Sequence, residues 1–266
     1  MKKTRVAFMG SRPLGHYALT MLQSMSQIEV VAVVAKEPPS SAWWDKDPFH
    51  IAEHPIRSHS DLHNIEFDFG ISINYWKIIE PELIRIPRLG FINLHHSYNL
   101  CLRGRNMTSH AIIEARKLAR WYHGTSLHYT DDGLDTGPII ASKACDLTEK
   151  DTSWTLFQKV EALGKDLLKE WLPRLSQAKA PAAHPTAGHP VSLKIQEDDK
   201  FISDIHSDPI HTYDFVRAFD FNGHYPFAFT KFDGKKVELT TDQNFGDAIV
   251  LDAGSGRIVY ATRKSH

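Results

Sequence analysis

The sequence Leu89-Gly90-Phe91-Ile92-Asn93-Leu94-His95 is an apolar run that ends in two polar side chains. The run predicts a buried strand, and the alternation of side chains along a strand puts Asn93 and His95 on one side of its carboxyl end. Open α/β sheets usually bind ligands at that end of their strands. The stretch therefore predicts a ligand site at the edge of a mainly parallel sheet.

A second polar cluster, Gly133-Leu134-Asp135-Thr136-Gly137, falls between two further predicted strands. The glycines allow a sharp loop with Asp135 at its tip. An amide, an imidazole and a carboxylate together can take a proton from a nucleophile and hold the oxyanion formed at an attacked carbonyl. Taken singly, Asn93, His95 and Asp135 are equally compatible with a loop amide, a hydrogen-bonded structural histidine and an ordinary turn aspartate.

Taken together, the sequences of the two clusters resemble those of the formyltransferase family that uses 10-formyltetrahydrofolate. The family pattern of Asn-x-His-x-Ser, Arg-Gly and Gly-Leu-Asp-Thr-Gly is present here. The resemblance places the catalytic residues of the family on Asn93, His95 and Asp135. Two positions depart from the pattern, because Leu100 and Met107 stand where the family usually has proline. We therefore expect a differently shaped loop after the histidine.

The chain as a whole predicts an α/β fold, a Rossmann-like and mostly parallel sheet with helices on both faces, plus a small C-terminal β-rich domain. Residues 1–175 are expected to form the catalytic domain, 176–190 a linker rich in alanine, proline and histidine, and 191–266 the small domain. That domain is predicted to begin with a helix over Pro209 to Phe219 and then to be strand-rich, with turns at Asp233-Gly234 and Gly254-Ser255-Gly256. We expect it to shape the acceptor site or to form a homodimer contact.

The donor site is assigned mainly by the resemblance. The segment of the family that matches Asn74 to Pro81 forms one wall of the folate pocket, which implies cofactor contacts for Tyr75, Trp76 and Ile78. An apolar and aromatic segment suits a flat heterocycle, although packing alone would also explain it. Asp131 and Asp132, directly ahead of Gly133, are assigned to the same cofactor site.

Candidate acceptor contacts lie in two other loops. The loop Gly10-Ser11-Arg12-Pro13-Leu14-Gly15 has an arginine in place of the middle glycine of a dinucleotide fingerprint, so it does not favour that cofactor. Ser11 and Arg12 ahead of a helix could hold a phosphate, and a solvent-exposed turn is the alternative. Arg103 and Asn106 are further candidate acceptor contacts.

Composition excludes several classes of protein. The chain has 266 residues, a net charge of −1, and apolar and charged shares of 42% and 24%. These values are ordinary for a soluble globular protein and predict no bulk attraction to nucleic acid or to anionic membranes. Two cysteines suit a cytoplasmic protein without disulfides, and no membrane-spanning run is present. The spacing of His95, His96 and Cys101 fits no familiar zinc pattern, so no metal is expected.

The predicted reaction is transfer of a formyl group from 10-formyltetrahydrofolate to a primary amine. Members of the family act on initiator methionyl-tRNA, glycinamide ribonucleotide or nucleotide-linked amino sugars. The neutral charge and short C-terminal region disfavour the tRNA, and the glycinamide enzyme normally ends near the predicted linker. A nucleotide-linked amino sugar is therefore the expected small-molecule partner. The alternatives are an enzyme like methionyl-tRNA formyltransferase and a non-catalytic module that binds folate or a nucleotide.

Overall fold

The chain opens with a strand, a helix and a second strand that pairs with the first. The computed structural model describes residues 2–56, 58–177, 180–186, 191–192, 194–252 and 256–262. The strands are β1 (Thr4–Gly10), β2 (Ile28–Val34), β3 (Phe69–Ile73), β4 (Phe91–His95), β5 (Arg103–Gly104), β6 (Tyr122–Tyr129), β7 (Ile139–Asp146), β8 (Val191–Ser192), β9 (Ala228–Phe232), β10 (Lys235–Thr240), β11 (Gly246–Asp252) and β12 (Arg257–Thr262). The α-helices are α1 (Arg12–Ser24), α2 (Pro81–Ile84), α3 (Met107–Ala115), α4 (Ser153–Leu175) and α5 (Pro209–Phe219).

The larger sheet has six strands in the order β2-β1-β3-β4-β6-β7. The first four strands of that order pair in parallel, whereas β6 runs antiparallel to β4. The register sets Asn93 of β4 beside Ser72 of β3 and opposite His128 of β6. The predicted mostly parallel α/β sheet is confirmed, and its central strand is the one that carries the first polar cluster.

Both faces of this sheet are covered by apolar side chains. On β1, Val6 and Phe8 belong to a core that also contains leucines of α1 and α4. Ala7 and Met9 point to the other face, where Leu62 and α2 close a second core. On β4 the same alternation puts Ile92 and Leu94 in the first core and Phe91 in the second. Asn93 and His95 therefore lie on the face of the second core.

The strand-rich C-terminal part is also present. Its four strands form an antiparallel sheet in the order β11-β12-β10-β9. The α5 helix begins at Pro209 and ends at Phe219, as predicted, and its Val216 packs in a core with Leu239 and Val259 of the sheet. Asp233 and Gly234 form the turn between β9 and β10, whereas Gly254 and Ser255 of the second predicted turn lie outside the described residues.

Contacts divide the chain into two compact units whose boundaries differ from the predicted ones. One unit comprises residues 1–103, 124–144 and 160–190, and the other comprises 104–123, 145–159 and 191–266. Helix α3 and the start of α4 belong with the C-terminal part because Arg116 pairs with Asp214 and Ser153 donates to the carbonyl of Ala218. Segment composition does not reveal such long-range pairing. The division into a catalytic and a small domain by function stays a prediction.

The predicted linker also makes ordered contacts within the first unit. The backbone of His184 exchanges two hydrogen bonds with that of Ile139 in β7, at 2.8 Å each. The hydroxyl of Tyr129 donates to the carbonyl of Pro181, and that of Thr186 donates to the carbonyls of Thr136 and Gly137. Residues 180–186 thus run along the sheet edge and against the loop that carries Asp135. Residues 178–179 and 187–190 of the predicted linker lie outside the described residues.

Candidate active site

The two polar clusters of the sequence meet at the carboxyl end of β4. The Nε2 atom of His95 lies 3.7 Å from Oδ2 of Asp135. Oδ1 of the same carboxylate lies 3.9 Å from Nε2 of His128, so Asp135 stands between two imidazoles. The side chains of His95 and Asp135 are only 11% and 12% exposed, and a charge interaction at this depth is screened little by solvent. The structure therefore brings Asn93, His95 and Asp135 together.

The loop that carries Asp135 has an unusual backbone. Asp135 has a φ of 50°, a left-handed conformation that aspartate tolerates better than most residues. Gly137 follows two residues later, and a Cβ atom there would lie 1.7 Å from the carbonyl oxygen of Tyr129. Only glycine permits that close approach. The Gly-Leu-Asp-Thr-Gly motif thus allows the backbone conformation that places the Asp135 carboxylate at the end of β4.

The ring of His95 is held through one nitrogen. Nε2 lies 3.1 Å from the carbonyl oxygen of Leu102, which can only accept, so Nε2 carries the proton and donates it. Asp135 flanks the same nitrogen. Leu102 is itself fixed, because its backbone N–H donates to Oγ of the buried Ser97 at 2.8 Å. Nδ1 is then the nitrogen of the neutral ring that can accept a proton.

His128 is a site residue that the sequence analysis missed. Its Nδ1 donates to the carbonyl of Tyr129 at 2.8 Å, which leaves Nε2 as the acceptor for the side-chain amide of Asn93 at 3.1 Å. Burial lowers the pKa of His128 to about 4, and the neighbouring His95 adds to the shift, so the ring is neutral at physiological pH. His128 therefore fixes the orientation of the Asn93 amide, with its NH2 group directed towards the imidazole. The sequence indicated only that His128 lies in a strand with alternating side chains. Its role depends on the register that pairs it with Asn93.

A second buried polar group lies on the opposite side of β4. His96 Nε2 lies 3.3 Å from Oε1 of Glu161, and both side chains are 12% exposed. The amide of Asn74 donates to the same oxygen at 3.4 Å. Burial raises the pKa of Glu161 to about 7, although the Asn74 amide and the charge of Arg12 act in the other direction. The sequence analysis missed this carboxyl group, whose only signal was a charge within the apolar stripe of α4.

The predicted cofactor residues of the first wall lie in one segment after β3. The rings of Tyr75 and Trp76 are 4.5 Å apart at their centres. Ile78 is 76% exposed, the most exposed of the large apolar side chains among the described residues. The hydroxyl of Tyr75 is 2.7 Å from Nδ1 of the buried His59, whose Nε2 in turn contacts Glu80. The segment thus presents an apolar tip between two anchored ends.

The two aspartates assigned to the cofactor are engaged in local contacts. Asp131 accepts from the backbone N–H of Gly133 and from the hydroxyl of Thr136, which shapes the loop ahead of Asp135. Asp132 is 60% exposed and forms an ion pair with Arg85. The side chain of Asp131 therefore stabilises the loop.

The four candidate acceptor residues are divided between the two compact units. Ser11 precedes α1 and donates its hydroxyl to the carbonyl of Asn74 at 2.6 Å, and the Arg12 guanidinium lies 5.2 Å from the ring centre of Trp44. Arg103 is buried, with 7% exposure. Asn106 belongs to the second unit, where its side chain accepts from the backbone N–H of Ile195 at 3.2 Å. Their contacts with an acceptor stay a prediction.

The described part of the chain has neither a metal-binding cluster nor a membrane-spanning helix. Within it, no group of three or more histidine, cysteine, aspartate or glutamate side chains is arranged to hold a metal ion. None of its helices combines the length and the apolar character needed to cross a bilayer. Cys101 and Cys145 are both free thiols.

Known proteins match this chain in sequence and in fold. The profile of the family described as Formyl transferase matches residues 7–172. Methionyl-tRNA formyltransferase of Wolbachia pipientis subsp. Culex pipiens (strain wPip) is 29% identical over 271 residues, which cover 96% of this chain and 85% of that protein. The same enzyme of Myxococcus xanthus is 31% identical over 206 residues, covering 72% of this chain and 64% of that protein.

Solved structures of sugar-modifying enzymes share the fold over the full chain. WlaRD, described as a sugar 3N-formyl transferase with dTDP and 5-N-formyl-THF, has a TM-score of 0.74 and 16% identity, and the match covers 100% of both chains. An N-formyltransferase from Helicobacter canadensis, in complex with folinic acid and dTDP-3-aminofucose, has a TM-score of 0.72 and 17% identity over 98% of this chain and 99% of that one. Since the family profile covers more than half of the sequence, this chain belongs to the formyl transferase family and is a folate-dependent formyltransferase.

Proposed function

We propose that this protein transfers the formyl group of 10-formyltetrahydrofolate to the primary amine of a nucleotide-linked amino sugar. The observation that carries the transfer chemistry is the arrangement at the end of β4, where Asn93, His95 and Asp135 converge and His128 orients the amide. A module that only bound folate would not require a carboxylate in a left-handed loop beside an imidazole. Each of these roles is a proposal about the reaction.

The amide of Asn93 and the ring of His95 stabilise the oxyanion that forms when the amine attacks the formyl carbon. One N–H of the Asn93 amide is directed to His128, so the second N–H is the one available to the developing charge. The His95 ring is set by the carbonyl of Leu102 through Nε2, which leaves Nδ1 for the reacting atoms. A fixed donor of this kind contributes on the order of 3 kcal/mol to transition-state stabilisation.

The attacking amine must lose a proton, because a primary amine is mostly protonated at neutral pH. Nδ1 of neutral His95 accepts it, and the Asp135 carboxylate at 3.7 Å stabilises the imidazolium that forms. The charged ring then donates from Nδ1 to the oxyanion or to the departing nitrogen of the donor. General acid–base catalysis of this type contributes about a hundred- to ten-thousand-fold to rates.

The donor is expected to lie against the segment from Tyr75 to Glu80 and the loop of Asp131 and Asp132. Support comes from the two similar structures that contain formylated folates. The exposed Ile78 gives the segment an apolar surface for a flat heterocycle. Because the carboxylate of Asp131 is engaged with its own loop, we propose that backbone groups of that loop make the donor contacts.

A nucleotide-linked amino sugar is favoured as the acceptor by the fold likeness and by charge. The two similar enzymes described with sugar or dTDP ligands match this chain over 98% of its length or more. The net charge of −1 offers no general attraction to RNA. Arg12 begins α1 at the carboxyl edge of the sheet, where its guanidinium favours a phosphate, although its backbone N–H already donates to the carboxylate of Asp47 at 2.7 Å.

Methionyl-tRNA is the second candidate acceptor, and one observation favours it. The relatives that match in sequence over most of this chain are methionyl-tRNA formyltransferases, including the enzyme of Wolbachia pipientis at 29% identity. At this identity a shared catalytic site is expected, whereas the acceptor can differ. Each candidate predicts a distinct product.

Mass spectrometry of the products distinguishes the candidates. The protein is incubated with 10-formyltetrahydrofolate and, separately, with a panel of nucleotide-linked amino sugars, with methionyl-tRNA and with no acceptor. A formyl gain on one sugar supports the proposal, and a gain on methionyl-tRNA alone replaces it with the second candidate. Asp135→Asn should give less than about a hundredth of the wild-type gain on any acceptor. The matched control is Asp166→Asn, at an exposed position of α4, which should retain the activity of the wild type.

A further inference from the structure

We infer that His59 and Glu80 are positioning residues for the formyl donor, because they clamp the segment from Tyr75 to Glu80 into a fixed loop. This inference rests on the proposed function, since it concerns the donor site of that function. His59 is remote in sequence from the clusters at the end of β4. Nothing in its sequence context, a stretch with several other histidines, distinguishes it.

The contacts of His59 are short and close the segment at both ends. Its Nδ1 lies 2.7 Å from the hydroxyl of Tyr75, and its Nε2 lies 2.7 Å and 2.6 Å from the two carboxylate oxygens of Glu80. A carboxylate only accepts, so Nε2–H donates to Glu80, and Nδ1 of the neutral ring accepts from the Tyr75 hydroxyl. One imidazole thus joins residues five positions apart across the loop.

The imidazole at the centre of the clamp is buried, whereas the side chain of Glu80 at its outer end is 52% exposed. His59 is 4% exposed and begins a short 3-10 helix at His59–Asn64. Burial raises the pKa of Tyr75 to about 12, so its hydroxyl stays a donor. Between the clamped ends, Ile78 is 76% exposed. A buried imidazole that is hydrogen-bonded to both ends of an exposed apolar tip is the arrangement expected of a surface presented to a ligand.

The first end of the segment has a second anchor. Asn74 adopts a φ of 54°, its carbonyl accepts from the hydroxyl of Ser11 at 2.6 Å, and its amide donates to Glu161. At the other end, the carbonyl of Glu80 accepts from the backbone N–H of Leu83 and starts α2. The loop therefore has little freedom at either end, and removing the central imidazole link frees its middle.

The effect on the donor is predicted to be one of affinity. A loose loop must be ordered again when the heterocycle binds, so binding weakens, whereas the groups at the end of β4 that act in the transition state are untouched. Losing one buried hydrogen bond of this kind should raise the Kd for the donor about tenfold. Once the donor is bound, kcat should remain within about twofold of the wild type because the reacting groups are unchanged.

The test measures binding of 5-formyltetrahydrofolate by calorimetry and steady-state kinetics with 10-formyltetrahydrofolate. Tyr75→Phe removes one hydroxyl and keeps the ring, so it should fold. His59→Asn removes both links, and His63→Asn changes an exposed histidine of the same short helix as the matched control. Glu80→Gln keeps an acceptor for Nε2–H and should restore most of the affinity that Glu80→Ala loses. A merely structural role would lower the melting temperature without this rescue in Kd.

The outcomes separate the inference from the proposed function. Weaker donor binding by Tyr75→Phe and His59→Asn, with normal binding by His63→Asn, supports the clamp. If the wild type binds the folate and both clamp variants bind it within about twofold of the wild type, the inference is wrong and the proposed function stands. If the wild type binds no folate, both fall, because there is then no donor to position.

Discussion

Replacement of Glu161 by glutamine should stabilise the protein, and increasingly so as pH rises. Burial raises the pKa of this carboxyl from an ordinary 4.5 to about 7, which means that the folded state holds the proton more tightly than the unfolded state. Stability from such a group is fully present below the unfolded value and is lost as pH rises through the folded one. Glutamine imitates the protonated form at every pH, because it keeps an oxygen that can accept from Asn74.

The size of the effect follows from the two pKa values. At pH 8 the folded wild type must ionise a buried group, at a cost of about 3 kcal/mol relative to the unfolded chain. At pH 5 the cost is less than about 1 kcal/mol, since this pH is only half a unit above the unfolded pKa of 4.5. The stability advantage of Glu161→Gln should therefore grow by about 2 kcal/mol between these two values.

Urea unfolding of wild type and variant at pH 5 and pH 8 measures this difference. Glu170→Gln is the matched control, because Glu170 lies in the same helix with a 44% exposed side chain that pairs with Arg174. Its free energy of unfolding should change little at either pH. An advantage of Glu161→Gln that is constant between pH 5 and pH 8 would refute the reasoning, because it would show that the carboxyl does not titrate in that range in the folded protein.

Three further replacements test the site. Asp135→Asn should lower kcat by about a hundred- to ten-thousand-fold in a formyl-transfer assay, with 5-formyltetrahydrofolate binding retained. His128→Leu should lower kcat about tenfold, because the Asn93 amide loses the acceptor that orients it. The same variant should lose less stability than the wild type as pH falls from 6.5 towards 4 in urea titrations, since the depressed folded pKa of His128 costs the wild type stability in that window. Thr186→Val should reduce kcat a few-fold at unchanged melting temperature, because Thr186 holds the loop of Asp135; normal turnover would remove it from the site.

The periodicity of apolar residues and the sequence motifs were enough to predict the sheet and its central strand. The apolar run that ends in Asn93 and His95 could be placed at the carboxyl end of a buried strand, because side-chain alternation depends only on local geometry. The sharp loop of Asp135 could also be predicted from its glycines. The close approach of Gly137 to the Tyr129 carbonyl leaves room for no other residue. These features are local, and local chemistry specifies them.

The features that were missed all depend on long-range register. His128 faces Asn93 because β6 runs antiparallel beside β4, and no segment of the sequence states that pairing. His59 reaches Tyr75 and Glu80 through a loop whose composition resembles an exposed connection. The division into compact units also depends on long-range contacts, since residues 104–123 belong to the second unit through contacts with α5.

The loop after His95 shows why the family is clearer than the acceptor. Leu100 is fully buried and has a φ of 52°, which a proline ring cannot adopt, so this chain cannot fold that turn as a proline at position 100 would require. Met107 is the first residue of α3, a place where proline is also favoured, so that departure needs no change of backbone. The strand that carries Asn93 and His95 and the loop that follows it are thus under different constraints. The pattern of Asn93, His95 and Asp135 can persist while the loop changes. Sequence similarity to methionyl-tRNA enzymes is then compatible with a different amine at the same site.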